Sequence, residues 1–190
     1  MKKFQVTIEG LAPILFNRFT EKSAGDIDSG RTGGKLSIEE RKTEALDRLY
    51  QNEEGFLCVP AEAIEKSLSG GCGMAQLKQG RRSAVPYVEA YCYISPRLVP
   101  FEPLTKDPDG IDEHSGRRPP KTGGRCIIRR PYLNAGWVLT FELTIIKDNF
   151  SEDTVYKALE EAGISRGLLD WRPKFGRFHI VDWKEVKCEG

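Results

Sequence analysis

Arginine and lysine are the residues whose spacing in this chain points to chemistry, because they gather in two stretches. Residues 115–131 contain six basic residues and no acidic one. Residues 165–179 contain four basic residues and one aspartate. Cationic side chains form charge-assisted hydrogen bonds with phosphates, and a local positive field attracts a polyanion whatever the total charge. Two such stretches favour a phosphate-binding surface over the alternative, a solvated loop that happens to be basic.

Aromatic residues and glycines accompany the basic residues. Trp171, Phe175 and Tyr132 offer flat rings on which nucleobases can stack. Glycines in the second stretch allow a close approach of the backbone to a ligand. The competing interpretation is a tight connection whose aromatic rings belong to the core. The candidate nucleic-acid-binding residues are Arg81, Arg82, Arg117, Arg118, Lys121, Arg125, Arg129, Arg166, Gly167, Trp171, Arg172, Lys174, Phe175, Gly176 and Arg177.

The two histidines are the candidates for acid-base chemistry. His114 lies close to Arg117 and Arg118, where a phosphodiester would be held, and His179 lies inside the last predicted strand. A histidine can act as a general base only if a substrate proton comes within hydrogen-bonding reach. The spacing supplies no carboxylate or second histidine as a partner, so we assign no catalytic residue.

The five cysteines lie far apart and include no Cys-x-x-Cys pair, which is typical of reduced thiols in a cytosolic protein. The ligand spacing of a structural zinc site is also absent, since the chain has only two histidines. We therefore expect no metal and no other cofactor. The cysteines are Cys58, Cys72, Cys92, Cys126 and Cys188.

The composition is that of a globular protein. The chain has 190 residues, of which 39% are hydrophobic and 30% charged, and its formal net charge is +1. These values exclude a fibrous chain, and the length indicates one domain, 1–190. The pattern along the chain predicts insertions in this domain at 17–51 and 103–131. No apolar run approaches the roughly 18 residues that cross a bilayer, and the N-terminus has no signal-peptide core. We expect a cytoplasmic protein with no membrane partner.

The first half of the chain predicts two strands and two helices. Apolar and polar residues alternate over 4–9, as in a half-buried strand. A capping box of Ser37 and Glu40 predicts a helix over 38–51. A short strand then leads to Pro60, and the apolar spacing that follows predicts a second helix, which the glycines near residue 71 end.

The middle of the chain predicts strands around a long loop. Residues 84–94 are rich in β-forming residues, which favours a strand. Residues 103–124 have no apolar periodicity, which favours a functional or disordered loop. Residues 126–133 and 136–146 predict two strands that pair as a hairpin, because turn residues separate them.

The last third of the chain completes a recognisable order. Ser151 caps a predicted helix that ends at Gly163, and a final strand follows over 177–186. Two successive strand–helix–strand units predict an α+β fold of the ferredoxin-like (RRM-like) split-βαβ type. Its antiparallel sheet carries helices on one face and leaves the other face or one edge for a ligand.

Three segments resemble a known family. Residues 167–178, GLLDWRPKFGRF, stand between a helix and the last strand and are similar to the glycine-rich loop of the RAMP superfamily. These are ferredoxin-like RNA binders that build CRISPR effector complexes. Residues 56–71, FLCVPAEAIEKSLSGG, resemble the family's segment of strand, proline and helix, and residues 4–17 resemble its first strand.

The resemblance implies a subunit that holds guide RNA. An RRM-like sheet, a glycine loop and a protruding thumb would bind the single strand, and successive copies or other effector subunits would stack along it. Residues 103–131 would be the thumb, and 17–37 part of a second projection. A phage-borne relative that coats single-stranded DNA is an open alternative.

We therefore expect a non-catalytic protein that binds single-stranded RNA or DNA with low sequence specificity and associates with itself along the strand. One alternative is a metal-independent RNA-processing endonuclease of the same fold that uses His114 or His179. Another is a structural or assembly protein whose basic loop contacts an acidic protein partner. The first hypothesis requires that residues 115–131 and 165–177 meet on one surface.

Overall fold

The computed structural model describes residues 1–19, 37–117 and 125–186, with backbone alone at some positions. In these ranges the helices are α1 (Ile38–Leu46), α2 (Ala61–Met74), α3 (Val85–Tyr91) and α4 (Glu152–Ser165). The strands are β1 (Lys2–Gly10), β2 (Ile14–Leu15), β3 (Cys58–Pro60), β4 (Lys78–Gln79), β5 (Arg82–Ser83), β6 (Cys92–Ser95), β7 (Leu98–Glu102), β8 (Gly110–Arg117), β9 (Arg125–Leu133), β10 (Val138–Ile145) and β11 (Phe178–Val186).

The central sheet has the order β11-β1-β10-β7-β3, and β6 pairs with the other end of β10. All of these pairings are antiparallel. Taken along the chain, β1, α2, β6 with β7, β10, α4 and β11 form two successive strand–helix–strand units. The α+β class is confirmed, and the arrangement is compatible with the ferredoxin-like fold.

The core lies between this sheet and its helices. In β1 the alternating residues Phe4, Val6 and Ile8 are fully buried, as the period-two pattern predicts. Ile64 and Leu68 of α2 are buried in the same cluster, together with the apolar stripe of α4. The two helices pack closely, because Gly71 of α2 lies directly against the backbone of α4.

The predicted strand over 84–94 is mostly wrong. Residues Val85–Tyr91 form α3, and a strand begins only at Cys92. Pro86 stands in the first helical turn, where a proline is tolerated because its missing N–H would be unpaired there. Ala84 and Val88 are four residues apart, so they lie on the same side of α3, and both are buried. The β-forming residues of this segment therefore belong to a short helix, which composition alone does not predict.

The predicted hairpin of residues 126–133 and 136–146 is also wrong. Strand β9 pairs with β8 and β2, whereas β10 enters the central sheet beside β1. The turn between them is tied to the end of β1, since Gly10 N donates to Trp137 O (2.7 Å) and Gly136 N donates to Gly10 O (2.8 Å). These bonds direct the chain from one sheet into the other.

Two further boundaries differ from prediction. The expected loop over 103–124 contains β8, which is one arm of the hairpin that β9 completes. Helix α1 ends at Leu46 rather than at residue 51, although the capping box of Ser37 and Glu40 is present as predicted. Residues 20–36 and 118–124, which belong to the two predicted insertions, lie outside the described residues, and the single-domain organisation stays a prediction.

The described cysteine thiols are buried. Cys58, Cys72 and Cys92 are free, and burial raises the pKa of Cys92 to about 12. The side chains of Cys126 and Cys188 lie outside the described part. Among the described residues, no cluster of three or more His, Cys, Asp or Glu side chains could hold a metal ion. No described helix is long and apolar enough to span a membrane.

The close contact of α2 and α4 predicts opposite effects on the unfolding free energy for two glycine-to-alanine substitutions in α2. A Cβ at Gly71 would lie 2.2 Å from the carbonyl oxygen of Ala158, whereas one at Gly73 would meet only Val85 at 3.6 Å. Gly73→Ala should raise the unfolding free energy by about 0.5–1 kcal/mol, the usual gain of alanine in a helix. Gly71→Ala should lower it by about 1–3 kcal/mol through overpacking. Urea denaturation measures both, and equal gains would contradict this packing.

Candidate nucleic-acid interface

A second, three-stranded sheet carries the first basic stretch. Its order is β2-β9-β8, and β8 pairs with β9 from Gly110↔Tyr132 to Arg117↔Arg125. Strand β9 also pairs with β2, which follows β1 closely in the chain. The β8–β9 hairpin is therefore anchored to the central fold at the base of β9.

The two faces of this hairpin carry different charged residues. Because side chains alternate along a strand, Asp112, His114 and Arg130 share one face, and Glu113 and Arg129 share the other. Arg129 Nε donates to Glu113 Oε1 over 2.6 Å, and the Arg129 side chain is only 11% exposed. Arg129 is thus engaged in an ion pair on the face away from Arg130.

The second basic stretch forms a closed loop, residues 166–177, which we call the glycine loop. Leu168 N donates to Gly176 O (2.9 Å), so the loop returns to its own start. Gly176 N donates to Pro13 O (2.8 Å), and Ser67 Oγ donates to Gly167 O (2.9 Å). These bonds fix the loop between α2 and the chain that links β1 to β2.

The glycines of this region are required by the protein's own packing. Gly176 has a φ of 70°, and a Cβ there would lie 2.1 Å from Leu168 O. Gly167 has a φ of 69°, and its Cβ would lie 2.7 Å from Phe175 O. Gly163 lies inside α4 rather than at its end, where a Cβ would be 2.2 Å from Phe178 O.

The hairpin and the glycine loop are joined by one polar and aromatic cluster, which we call the junction. Arg130 forms an ion pair with Asp170 of the loop. The His114 ring stacks on Trp171 with centroids 3.5 Å apart, and the Arg130 guanidinium lies 5.6 Å from the Trp171 ring centroid. The described parts of the two basic stretches therefore meet in space.

The hydrogen bonds of His114 define its tautomer. Arg130 Nη1 lies 3.0 Å from His114 Nε2 and can only donate, so Nε2 accepts. Nδ1 then carries the proton and donates to Asp112 Oδ2 over 2.7 Å. Both ring nitrogens are occupied. His179 is different, since it is half exposed and its Nε2 lies 3.7 Å from Glu9 Oε2.

Part of the expected stacking surface is covered by the protein itself. Trp171 stacks on Phe175 with centroids 5.6 Å apart as well as on His114, and 42% of Trp171 stays exposed. Tyr132 lies against Gly110, where a Cβ would be 2.9 Å from the Tyr132 hydroxyl.

The cations of the glycine loop remain exposed. Asp170 is its sole carboxylate, and that group pairs with Arg130. No ion pair within the described ranges involves the loop's four basic side chains. Arg166 lies over Gly70, and Arg177 Nε donates to Pro173 O (2.8 Å). The four exposed cations are Arg166, Arg172, Lys174 and Arg177.

Other candidates lie elsewhere. Arg82 belongs to β5, and Arg81 stands in the β4–β5 turn beyond the C-terminal end of α2. No described hydrogen bond, ion pair or ring contact joins them to the junction. Arg117 and Arg125 face each other in the last described pair of the hairpin, where only the backbone is described. Arg118 and Lys121 lie outside the described residues.

The sequence alone does not identify three members of the junction. Asp170 stands out only as the acidic residue of the second basic stretch. Arg130 belongs to the first basic stretch but is not among the candidates, and neither is Asp112. Their alternation with Glu113 and Arg129 was the available signal, because residues two apart on a strand share a face. That signal becomes useful only once β8 is recognised as a strand.

Comparison with known proteins supports the fold. No protein-family model matches the chain, and no curated protein matches it. Among solved structures, the chain is similar to one described as "Cryo-EM structure of the Type III-B Cmr-beta bound to cognate target RNA", with a TM-score of 0.53 and 12% sequence identity. The match covers 98% of this chain and 61% of that chain, so the protein spans less than two thirds of its structural neighbour.

The junction should contribute measurably to stability. The side chains of Arg130 and Asp170 are only 13% and 27% exposed, so Asp170→Ala leaves a largely buried guanidinium without its carboxylate. We expect a loss of about 1.5–3 kcal/mol in unfolding free energy. The control Asp182→Ala removes the exposed pair with Lys184 and should cost less than about 1 kcal/mol. Equal losses in urea denaturation would contradict the assigned role of the junction.

Proposed function

We propose that this protein is a non-catalytic binder of single-stranded nucleic acid. Its ligand is RNA, which it binds with little sequence specificity. The observation that carries the proposal is the junction, which attaches a hairpin with a basic sequence to the glycine loop. Because Arg130 of the hairpin neutralises Asp170, the four basic side chains of the loop present an uncompensated positive charge. A polyanion is attracted by such a local field.

The binding mode is electrostatic with limited stacking. The four exposed cations of the glycine loop would contact phosphates, and each contact releases condensed counterions from the strand. The exposed part of Trp171 would stack on one base. Base stacking on an aromatic side chain contributes about 1–3 kcal/mol and tolerates any base.

The biological setting of the proposal is a CRISPR effector complex. The structural neighbour is a chain from a Cmr-beta complex bound to target RNA, and residues 167–178 resemble the RAMP glycine loop. On this proposal the β8–β9 hairpin would serve as the thumb. On this proposal the protein is a RAMP-type cytoplasmic subunit that lies along RNA with further copies of itself or with other effector subunits.

The open face of the central sheet is less suited to bind the RNA strand than the glycine loop is. Lys3 pairs with Glu142 at 2.8 Å, and Thr7 shares a 3.1 Å hydrogen bond with Thr140. Cross-strand pairs of this kind occupy the polar groups with each other. Aromatic rings and exposed cations gather instead at the glycine loop.

The geometry of His114 argues against the endonuclease alternative. A general base needs an available lone pair, and both nitrogens of His114 are engaged by Asp112 and Arg130. His179 lies beside the Glu9 carboxylate. Within the described part of the chain it forms no hydrogen bond or ion pair with a cation of the glycine loop. We therefore propose binding without cleavage.

Binding should weaken steeply with salt. With about four phosphate contacts and a slope of −0.7 per contact, a fourfold rise in salt should lower the affinity for labelled oligouridine roughly 50-fold. Fluorescence anisotropy measures this dependence, and the same RNA should remain intact on a denaturing gel without added metal. Affinity that is weak and independent of salt would contradict the proposal, and cleaved RNA would favour the endonuclease.

Variants test the location of the site. The triple variant Arg172→Gln, Lys174→Gln, Arg177→Gln should flatten the salt slope by about 2, since three contacts are lost. The control Lys157→Gln removes an exposed cation of α4 that pairs with Asp153, and it should leave binding unchanged. A control that weakens binding as much as the triple variant would place the strand elsewhere. Copurified nucleic acid, seen as a raised 260 to 280 nm ratio, would argue against an acidic protein partner.

A further inference from the structure

A cleft of about 380 Å³ opens beside the junction, between α2, the glycine loop and the segment before β3. Asp170 and Arg172 both line it, and they flank Trp171 in the chain. A strand held by Arg172 and the other glycine-loop cations would therefore run close to this cleft. The volume lies near the lower end of the roughly 300–1,000 Å³ of small-molecule sites, so it suits one nucleotide rather than a stacked run.

Three apolar residues form part of the cleft wall. Pro60 and Ala63 at the start of α2 form one side, and Leu169 of the loop contributes to the other. Leu169 has a φ of 56°, a left-handed conformation that a branched side chain rarely adopts. Strained positions of this kind cluster at ligand clamps. Apolar wall residues can pack against a base that leaves the stack of its neighbours.

The polar lining of the cleft carries both signs of charge. Glu62 and Asp170 are carboxylates, and Lys66 and Arg172 are cations. The carboxylates disfavour a phosphate inside the cleft, because like charges repel. They favour a group with N–H donors, which the cations complement where the same group offers acceptors.

Tyr50 adds a hydrogen-bonding hydroxyl to this lining. Burial raises the pKa of Tyr50, so the phenol keeps its proton and can donate. The ion pair of Glu62 with Arg97 spans 3.6 Å between exposed side chains and is weak, so it competes little with a ligand.

We propose that this cleft takes one unstacked nucleobase of the bound strand and that guanine is the base it prefers. Guanine offers two adjacent donors on its Watson–Crick edge, which match the Glu62 carboxylate, and two acceptors, O6 and N7, which match Lys66 or Arg172. This inference rests on the proposed function and adds to it a single position of sequence preference.

The test compares three 12-nucleotide oligouridines with a central guanosine, inosine or uridine in fluorescence anisotropy. The strand with guanosine should bind roughly tenfold more tightly than the strand with uridine, the value expected for one good bidentate base contact. Inosine lacks the 2-amino group and should lose most of this gain. Equal affinities for the three strands would overturn the inference and leave the proposed function intact, whereas absence of binding to any strand would overturn both.

Variants place the preference in the cleft. Glu62→Gln removes the carboxylate charge and should reduce the guanosine-to-uridine affinity ratio to below about threefold. Ala63→Trp fills the cleft with a bulky side chain and should abolish the guanosine-to-uridine affinity ratio by excluding the base. Glu160→Gln changes an exposed carboxylate of α4 and should keep the full ratio. An undiminished ratio in both cleft variants would overturn the assignment, and so would free guanosine monophosphate binding as tightly as the strand.

Discussion

The ion pair of Arg130 with Asp170, beside the stacking of His114 on Trp171, holds the β8–β9 hairpin against the glycine loop. These residues come from segments that are far apart in the chain. Asp112 extends the network through His114, so the hairpin contributes three members of one face and the loop contributes two. The geometry of the proposed interface depends on this attachment, because it determines which cations are neutralised and which stay exposed.

The basic residues divide into two physical classes. Arg129 and Arg130 are largely buried and paired with carboxylates, so they stabilise the structure. The loop cations, represented by Arg172 and Lys174, are exposed and lack such partners in the described part. A count of charges along the sequence cannot separate these classes, since the difference arises from the register of β8 and β9. The cleft beside the junction adds hydrogen-bonding groups and three apolar residues to the exposed cations, and the proposed base preference rests on this combination.

Much of the central fold could be predicted from the sequence, because the burial pattern is one-sided. Alternation identified β1, and the apolar spacing after Pro60 and Ser151 identified α2 and α4. Strand β8 escaped detection because both of its faces carry charged residues, with Glu113 on one side and Asp112 on the other. Its charged side chains are paired by the ion pair of Glu113 with Arg129 across the hairpin and by the hydrogen bond of Asp112 with His114. Hydrophobic periodicity does not report such pairs. The glycine loop was located correctly, whereas the packing role of Gly176 required knowledge of the chain that meets it.

The central claim is that the hairpin and the glycine loop together form the surface on which a single strand lies. Photocrosslinking of the protein to oligouridine containing 4-thiouridine, with mass-spectrometric mapping of the linked peptides, tests this claim most directly. We predict crosslinks in residues 166–177 and in the β8–β9 hairpin. Crosslinks confined to the β4–β5 hairpin, or to the sheet face that carries Thr7 and Thr140, would contradict it.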